Sequence, residues 1–143
     1  MAIGIQVTFD AADPEKLADF WAIALDYQLE PPPPGFDNWQ EFAAKIGLPE
    51  DRWYDYAALV DAERTRPRLF FQKVPEGKTA KNRVHLDLNV SRGAPDKAEA
   101  WHRVTVHTER LVAAGAKVLY ESNDPTGRCM VMQDPEGNEF CIQ

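Results

Sequence analysis

The residues best equipped for chemistry begin with one short stretch, RVHLDLNV (residues 83–90). It alternates strictly. Val84, Leu86, Leu88 and Val90 fall on one side of an extended chain, and His85, Asp87 and Asn89 on the other. An imidazole beside a carboxylate on one strand face can hold a cation or act in acid–base work. Further polar candidates lie far along the chain: Gln6 and Thr8 in QVTFD, Gln72 in LFFQ, and Glu139 and Cys141 in NEFCI. They form a site only if the intervening elements bring them together.

Those elements are legible in outline. IGIQVTFDA reads as a strand, with Ile5, Val7 and Phe9 on one face and Gln6, Thr8 and Asp10 on the other. A helix follows, with Asp13 as N-cap, Pro14 at its first position and Glu15 near its positive end. Leu17, Phe20, Trp21, Ala24 and Leu25 form its apolar stripe. YQLEP is a short strand stopped by PPPPG, and Asn38 to Gly47 a short helix. WYDYAALVDA and RPRLFFQKV form a hairpin around AERTRP.

The order then repeats. RVHLDLNV is a strand, and a helix to about Ala114 turns Trp101, Val104, Thr108 and Leu111 inward, with Gly115 as its cap. KVLYES, RCMVMQ and NEFCIQ are strands, the last two joined by the turn DPEG. Each half is strand, helix, then three strands. Superposing the halves by order places Gln6 opposite His85 and Gln72 opposite Cys141. A helix covers one face of such a unit and leaves the other bare, so two units can curve their bare faces around a cleft. His85, Asp87, Asn89, Gln6, Thr8, Gln72, Glu139 and Cys141 are expected to face it.

Global properties exclude several classes. At 143 residues the chain suits one domain, or two small halves sharing a core. A formal charge of −7 argues against a nucleic-acid backbone or an anionic membrane surface as partner. Lys78 to Arg83 gather basic residues in what reads as a solvated connection. The two cysteines, Cys129 and Cys141, show no zinc-finger spacing and fit a reducing, cytoplasmic compartment better than a disulfide framework. The first residues run straight into strand pattern and do not read as a signal peptide.

The segments DPEKLADFWAIAL, RLFFQKVPEGKTAKNRVHLDLNV and VMQDPEGNEFCI together resemble glyoxalase-like domains of the vicinal oxygen chelate superfamily. This is the superfamily of glyoxalase, bleomycin-resistance proteins and extradiol dioxygenases. The resemblance implies an α+β fold of two βαβββ modules, here residues 3–75 and 83–143 around a linker 76–82. Their eight strands would form a U-shaped mixed sheet with the helices outside. It also implies a site in the concavity, often with a divalent metal, and leaves open whether the modules close it within one chain or across a homodimer. The implied metal positions are Gln6, Gln72, His85 and Cys141. Metal-dependent relatives carry glutamates where this chain has Gln72 and Cys141. Two amides and an imidazole supply no charge for Mg²⁺, Mn²⁺ or Fe²⁺, whereas a thiolate with His85 suits zinc. Asp87 and Glu139, two residues away, are the carboxylates that could take over.

Two readings follow from that. In one, the chain binds a small molecule without metal, through the polar faces above and through Trp39, Trp53 and Tyr54 in the insert after PPPPG. In the other it is a metal-dependent lyase, isomerase or dioxygenase in which His85 and Glu139 do the chemistry. Plainer roles stand beside these. His85 can be a hydrogen-bonded pocket residue, Cys141 a small buried hydrophobe, and Glu139 a partner of Arg128 across the last hairpin. Gln6 and Gln72 can bond each other or backbone. His102 and His107 read as surface or edge residues, and Asp134 to Asn138 as a structural turn.

Overall fold

A computed structural model describes all residues from Met1 to Gln143. The chain divides into two compact units, Met1–Ala22 with Asp26–Gly77, and Ile23–Leu25 with Lys78–Gln143. In the first, strand β1 (Val7–Ala11) leads into helix α1 (Pro14–Leu25), followed by β2 (Gln28–Leu29), helix α2 (Trp39–Lys45), a 3-10 turn (Glu50–Arg52), β3 (Tyr56–Val60) and β4 (Leu69–Lys73). In the second come β5 (Asp87–Leu88), helix α3 (Lys97–Ala113), β6 (Lys117–Asp124), β7 (Gly127–Gln133) and β8 (Glu139–Ile142). The eight strands divide into two four-stranded sheets of the same topology, β1-β4-β3-β2 and β5-β8-β7-β6. Each is mixed: its first and last strands pair in parallel and the other pairs are antiparallel. This is the α+β, βαβββ architecture that the sequence resemblance implies.

The helix starts obey local rules. The Asp13 carboxylate accepts from Lys16 N, Asn38 Oδ1 from Glu41 N, and Asp96 Oδ1 from Glu99 N, each satisfying an amide that the helix cannot. Helix α3 ends at Ala114, and Gly115 adopts φ +110°. A Cβ there would make only an ordinary contact with Pro135 Cγ at 3.4 Å, so it is the left-handed backbone of the turn that favours glycine.

The core of the first unit is aromatic. Phe9 lies 5.0 Å from Trp21 and 5.1 Å from Phe71 between ring centroids, joining β1, α1 and β4. In the second unit Val104, Leu111, Met132, Phe140 and Ile142 are buried. Burying each such side chain contributes about 1.5–3 kcal/mol, so this apolar layer dominates the stability of each unit.

Two expectations need correction. β5 is far shorter than RVHLDLNV, and Val84 is 81% exposed instead of lying under a helix. The strand has a single partner, β8, so the regular ladder covers only Asp87 and Leu88; bonds from Cys141 N to Leu86 O at 3.0 Å, Gln143 N to Leu88 O at 2.9 Å and Ser91 N to Gln143 O at 3.1 Å flank it. The strand expected at WYDYAALVDA begins only at Tyr56, because Trp53 closes the 3-10 turn. Of the two readings of His107, the edge one applies: it is half-buried, with Nε2 2.9 Å from Ala24 O, and burial lowers its pKa.

The turn at Asp134 is indeed structural. Its buried carboxylate accepts from Glu136 N, Asn138 N and Asn138 Nδ2, and so sets the β7–β8 register. Asp134→Ala removes these hydrogen bonds and is expected to cost about 1–3 kcal/mol, readable as a lowered urea midpoint with an unchanged slope.

Candidate functional site

Parallel pairing determines what meets what on the helix-free faces. β1 runs beside β4 with Thr8 against Phe70 and Asp10 against Gln72. β5 runs beside β8 with Asp87 against Cys141. If Gln72 and Cys141 are equivalent, Asp10 matches Asp87, and Thr8 rather than Gln6 matches His85. The sequence agrees once aligned this way: Val7-Thr8-Phe9-Asp10 against Val84-His85-Leu86-Asp87. The two expected equivalences do not hold together: keeping Gln72 opposite Cys141 places Thr8 opposite His85, and keeping Gln6 opposite His85 places Phe70 opposite Cys141.

In the first unit the polar groups are largely satisfied among themselves. Gln6 Oε1 accepts from Arg68 Nη1 at 2.9 Å, and Arg68 Nε lies 2.9 Å from Glu30 Oε2. Gln72 Nε2 donates to Asp10 Oδ1 at 2.9 Å. The two glutamines do not bond each other. Beside this network lies a recess of about 580 Å³. Trp39, Tyr54, Tyr56 and Phe70 give it aromatic walls, with Arg68 and Glu30 at its polar side. Tyr56 and Phe70 stack across β3 and β4 with centroids 5.8 Å apart. The Trp39 indole N–H donates to Glu30 O at 2.7 Å and that of Trp53 to Leu48 O at 2.9 Å, which fixes both rings. Trp53 lines the recess as well. The sequence pattern did not single out Arg68, Tyr56 or Phe70. Their parity was the available signal, since Arg68 and Phe70 share a face with Gln72.

In the second unit His85, Asp87 and Cys141 offer ligand atoms that all lie within 4.8 Å of one another. His85 Nε2 is 3.2 Å from Asp87 Oδ1, and both side chains are about two-fifths exposed. Burial, the neighbouring Cys129 thiol and the negative Asp87 push the Cys141 thiol up to about 12, so without a cation it is a protonated thiol at neutral pH. Glu139 does not join this group. Its Oε2 accepts from Asn82 N at 2.9 Å and lies 3.1 Å from Lys78 Nζ. Burial opposes its ionisation, but the Asn82 amide, its own amide and the Lys78 ammonium outweigh burial and hold its pKa at about 2. Arg128, the partner the sequence suggested, instead pairs with Glu121 at 2.6 Å and lies over Trp101 at 3.6 Å.

The positions that the resemblance implies for a family-type divalent metal are Gln6, Gln72, His85 and Cys141. They supply two amides, one bonded to Arg68 and one to Asp10, with an imidazole and a protonated thiol. A hard divalent ion needs anionic oxygen, so this set does not fit one.

Comparisons with known proteins agree with the fold. Residues 6–143 match the family model described as a glyoxalase-like domain. No curated protein matches. Among solved structures, fosfomycin-resistance protein FosX from Listeria monocytogenes, complexed with Mn(II) and 1S,2S-dihydroxypropylphosphonic acid, is similar with a TM-score of 0.65 and 14% identity. That similarity covers 100% of this chain and 90% of that one. TioX from Micromonospora sp. ML1 is similar with a TM-score of 0.55 and 16% identity, covering 99% and 97%. A glyoxalase/bleomycin resistance protein/dioxygenase family enzyme from Burkholderia phytofirmans PsJN gives 0.60 and 16%, covering 96% and 94%.

The depressed pKa of Glu139 has a direct consequence. Its contribution to stability is complete above its ordinary value near 4.5 and fades as pH falls through about 2. Glu139→Gln is therefore expected to be less stable than the parent at pH 7, with the difference shrinking below pH 4.5 and vanishing near pH 2. Thermal midpoints of both proteins across that range check it.

Proposed function

The chain belongs to the glyoxalase-like domain family, and from that premise we propose that it binds a flat, conjugated small molecule in the aromatic recess of its first unit. The observation that carries this reading is the recess itself: rings of Trp39, Tyr54, Tyr56 and Phe70 around about 580 Å³, with two indoles locked by their N–H bonds. Rings held in this way lose little freedom when a planar ligand stacks on them. The Arg68–Glu30 pair beside them offers both signs of charge for orientation. The recess is also of the size that small-molecule sites occupy. We assign binding, and no reaction, to it.

The alternative, a metal-dependent lyase, isomerase or dioxygenase working through His85 and Glu139, has less support. Glu139 is already engaged by Lys78 and the Asn82 amide, and the family-type metal positions lack anionic oxygen.

Planar dyes, an acridine and a neutral naphthoquinone first, are the probes. Binding is expected to quench tryptophan fluorescence and to be indifferent to EDTA. Tyr56→Ala is expected to weaken it about tenfold, the effect of losing one stacking face, while Tyr56→Phe leaves it near the parent value. Equal affinity in the parent and in a Trp39→Ala, Tyr56→Ala double variant, followed by dye fluorescence, would refute the assignment.

A further inference from the structure

The second unit has a recess of its own, of about 470 Å³, between the first turns of α3 and the turn that joins β6 to β7. Strand parity places it on the side of the sheet away from His85, Asp87 and Cys141. Val131 pairs with Cys141 and shares its face, so Arg128, Met130 and Met132 take the other. Met132 is fully buried opposite Phe140, and Arg128 lies over Trp101 of α3. That side is the one the helix covers.

The lining of this recess is rich in donors that the chain leaves open. Arg128 Nε pairs with Glu121 Oε1 at 2.6 Å, and the guanidinium carbon sits 3.6 Å from the Trp101 ring centroid. The group is thus held at one edge and on one face. Its Nη1 and Nη2 meet no acceptor, and neither do Lys97 Nζ or the Trp101 indole N–H. The other arginines in ion pairs, Arg52, Arg68 and Arg103, each commit an Nη nitrogen as well. Arg128 alone is anchored with both left over. Asp124, the acid in the lining, accepts from the amide and hydroxyl of Thr126 and closes the β6–β7 turn.

We propose that this recess binds the carboxylate of a small organic acid, through the two Nη nitrogens of Arg128 and the ammonium of Lys97. A guanidinium fork matches the two oxygens of a carboxylate, and one already fixed by stacking and an ion pair loses little freedom on binding. Glu121 and Asp124 offset much of the two positive charges, so a single negative charge suits the recess and a phosphate dianion does not. Ala100, Val104 and Pro125 supply apolar surface for a carbon skeleton. The recess has the volume of a small-molecule site. It shares no residue with the aromatic recess of the first unit, and neither needs the other.

The test is a titration of the ¹⁵N-labelled full chain at constant ionic strength, followed at the Trp101 indole N–H, which a Trp101→Phe spectrum assigns. The probes are acetate, benzoate and phenylacetate. Benzoate is expected to shift that signal saturably, the neutral isostere benzamide to leave it unmoved, and inorganic phosphate to act no more than chloride does. Arg128→Lys, which keeps the charge and loses the fork, is expected to weaken benzoate about tenfold. Lys97→Gln is expected to weaken it about threefold and Lys81→Gln, outside the recess, not at all. No saturable shift with any of the three acids, an equal shift from benzamide, phosphate binding as tight as benzoate, or unchanged affinity in Arg128→Lys would each overturn the proposal. Should Arg128→Lys misfold, the comparison of benzoate with benzamide on the unaltered protein decides. Dye binding in the first unit is measured separately, so either idea can fail alone.

Discussion

Parallel pairing between the first and last strands of each module is the constraint on which the rest depends. Parallel strands cannot be joined by a tight turn. In each module a helix and two antiparallel strands therefore intervene between the pair. The helix covers one face, where Phe9, Trp21 and Phe71 stack in the first unit and Phe140, Ile142 and Leu111 are buried in the second. The uncovered face then receives alternate residues of both paired strands. Asp10 meets Gln72 and Asp87 meets Cys141 for this reason alone, although 62 residues separate the first pair.

Much of this was legible in the chain itself. Caps at Asp13, Asn38 and Asp96, the apolar stripe from Leu17 to Ala24 and the DPEG turn are local signals, decided within four or five residues. The face on which His85, Asp87 and Cys141 meet was legible too, because strand parity is a period-two property. Extent was not. Alternation in RVHLDLNV says which residues share a side, but a ladder needs a partner, and β8 supplies one only opposite Asp87 and Leu88. Equivalence between modules was not legible, because order alone does not fix register: Gln6 opposite His85 and Gln72 opposite Cys141 differ by two residues in the paired strands.

The partners of charged side chains were the least legible part. Arg68 and Glu30 are 38 residues apart, and Lys78 and Glu139 are 61. No local pattern connects them. Lys78 looked like one of several solvated lysines in a connecting loop, yet it holds the carboxylate that seemed best placed to act as an acid or base. A carboxylate bound by an ammonium and a backbone amide stays ionised far into acid, which suits a fixed strut and not a proton carrier at neutral pH.

The two units show how one fold comes to carry two different open faces. On the first open face Gln6 is tied to Arg68, Arg68 to Glu30, and Gln72 to Asp10. What remains available there is aromatic surface, which recognises shape. At the corresponding positions of the second unit threonine is replaced by histidine and glutamine by cysteine, and Cys129 adds a second sulfur diagonal to Cys141. Those side chains are engaged with one another, His85 with Asp87 and Cys141 with Asp87 and Cys129. The same backbone register therefore presents different side-chain chemistry in each module, and the difference lies in the side chains, not in topology.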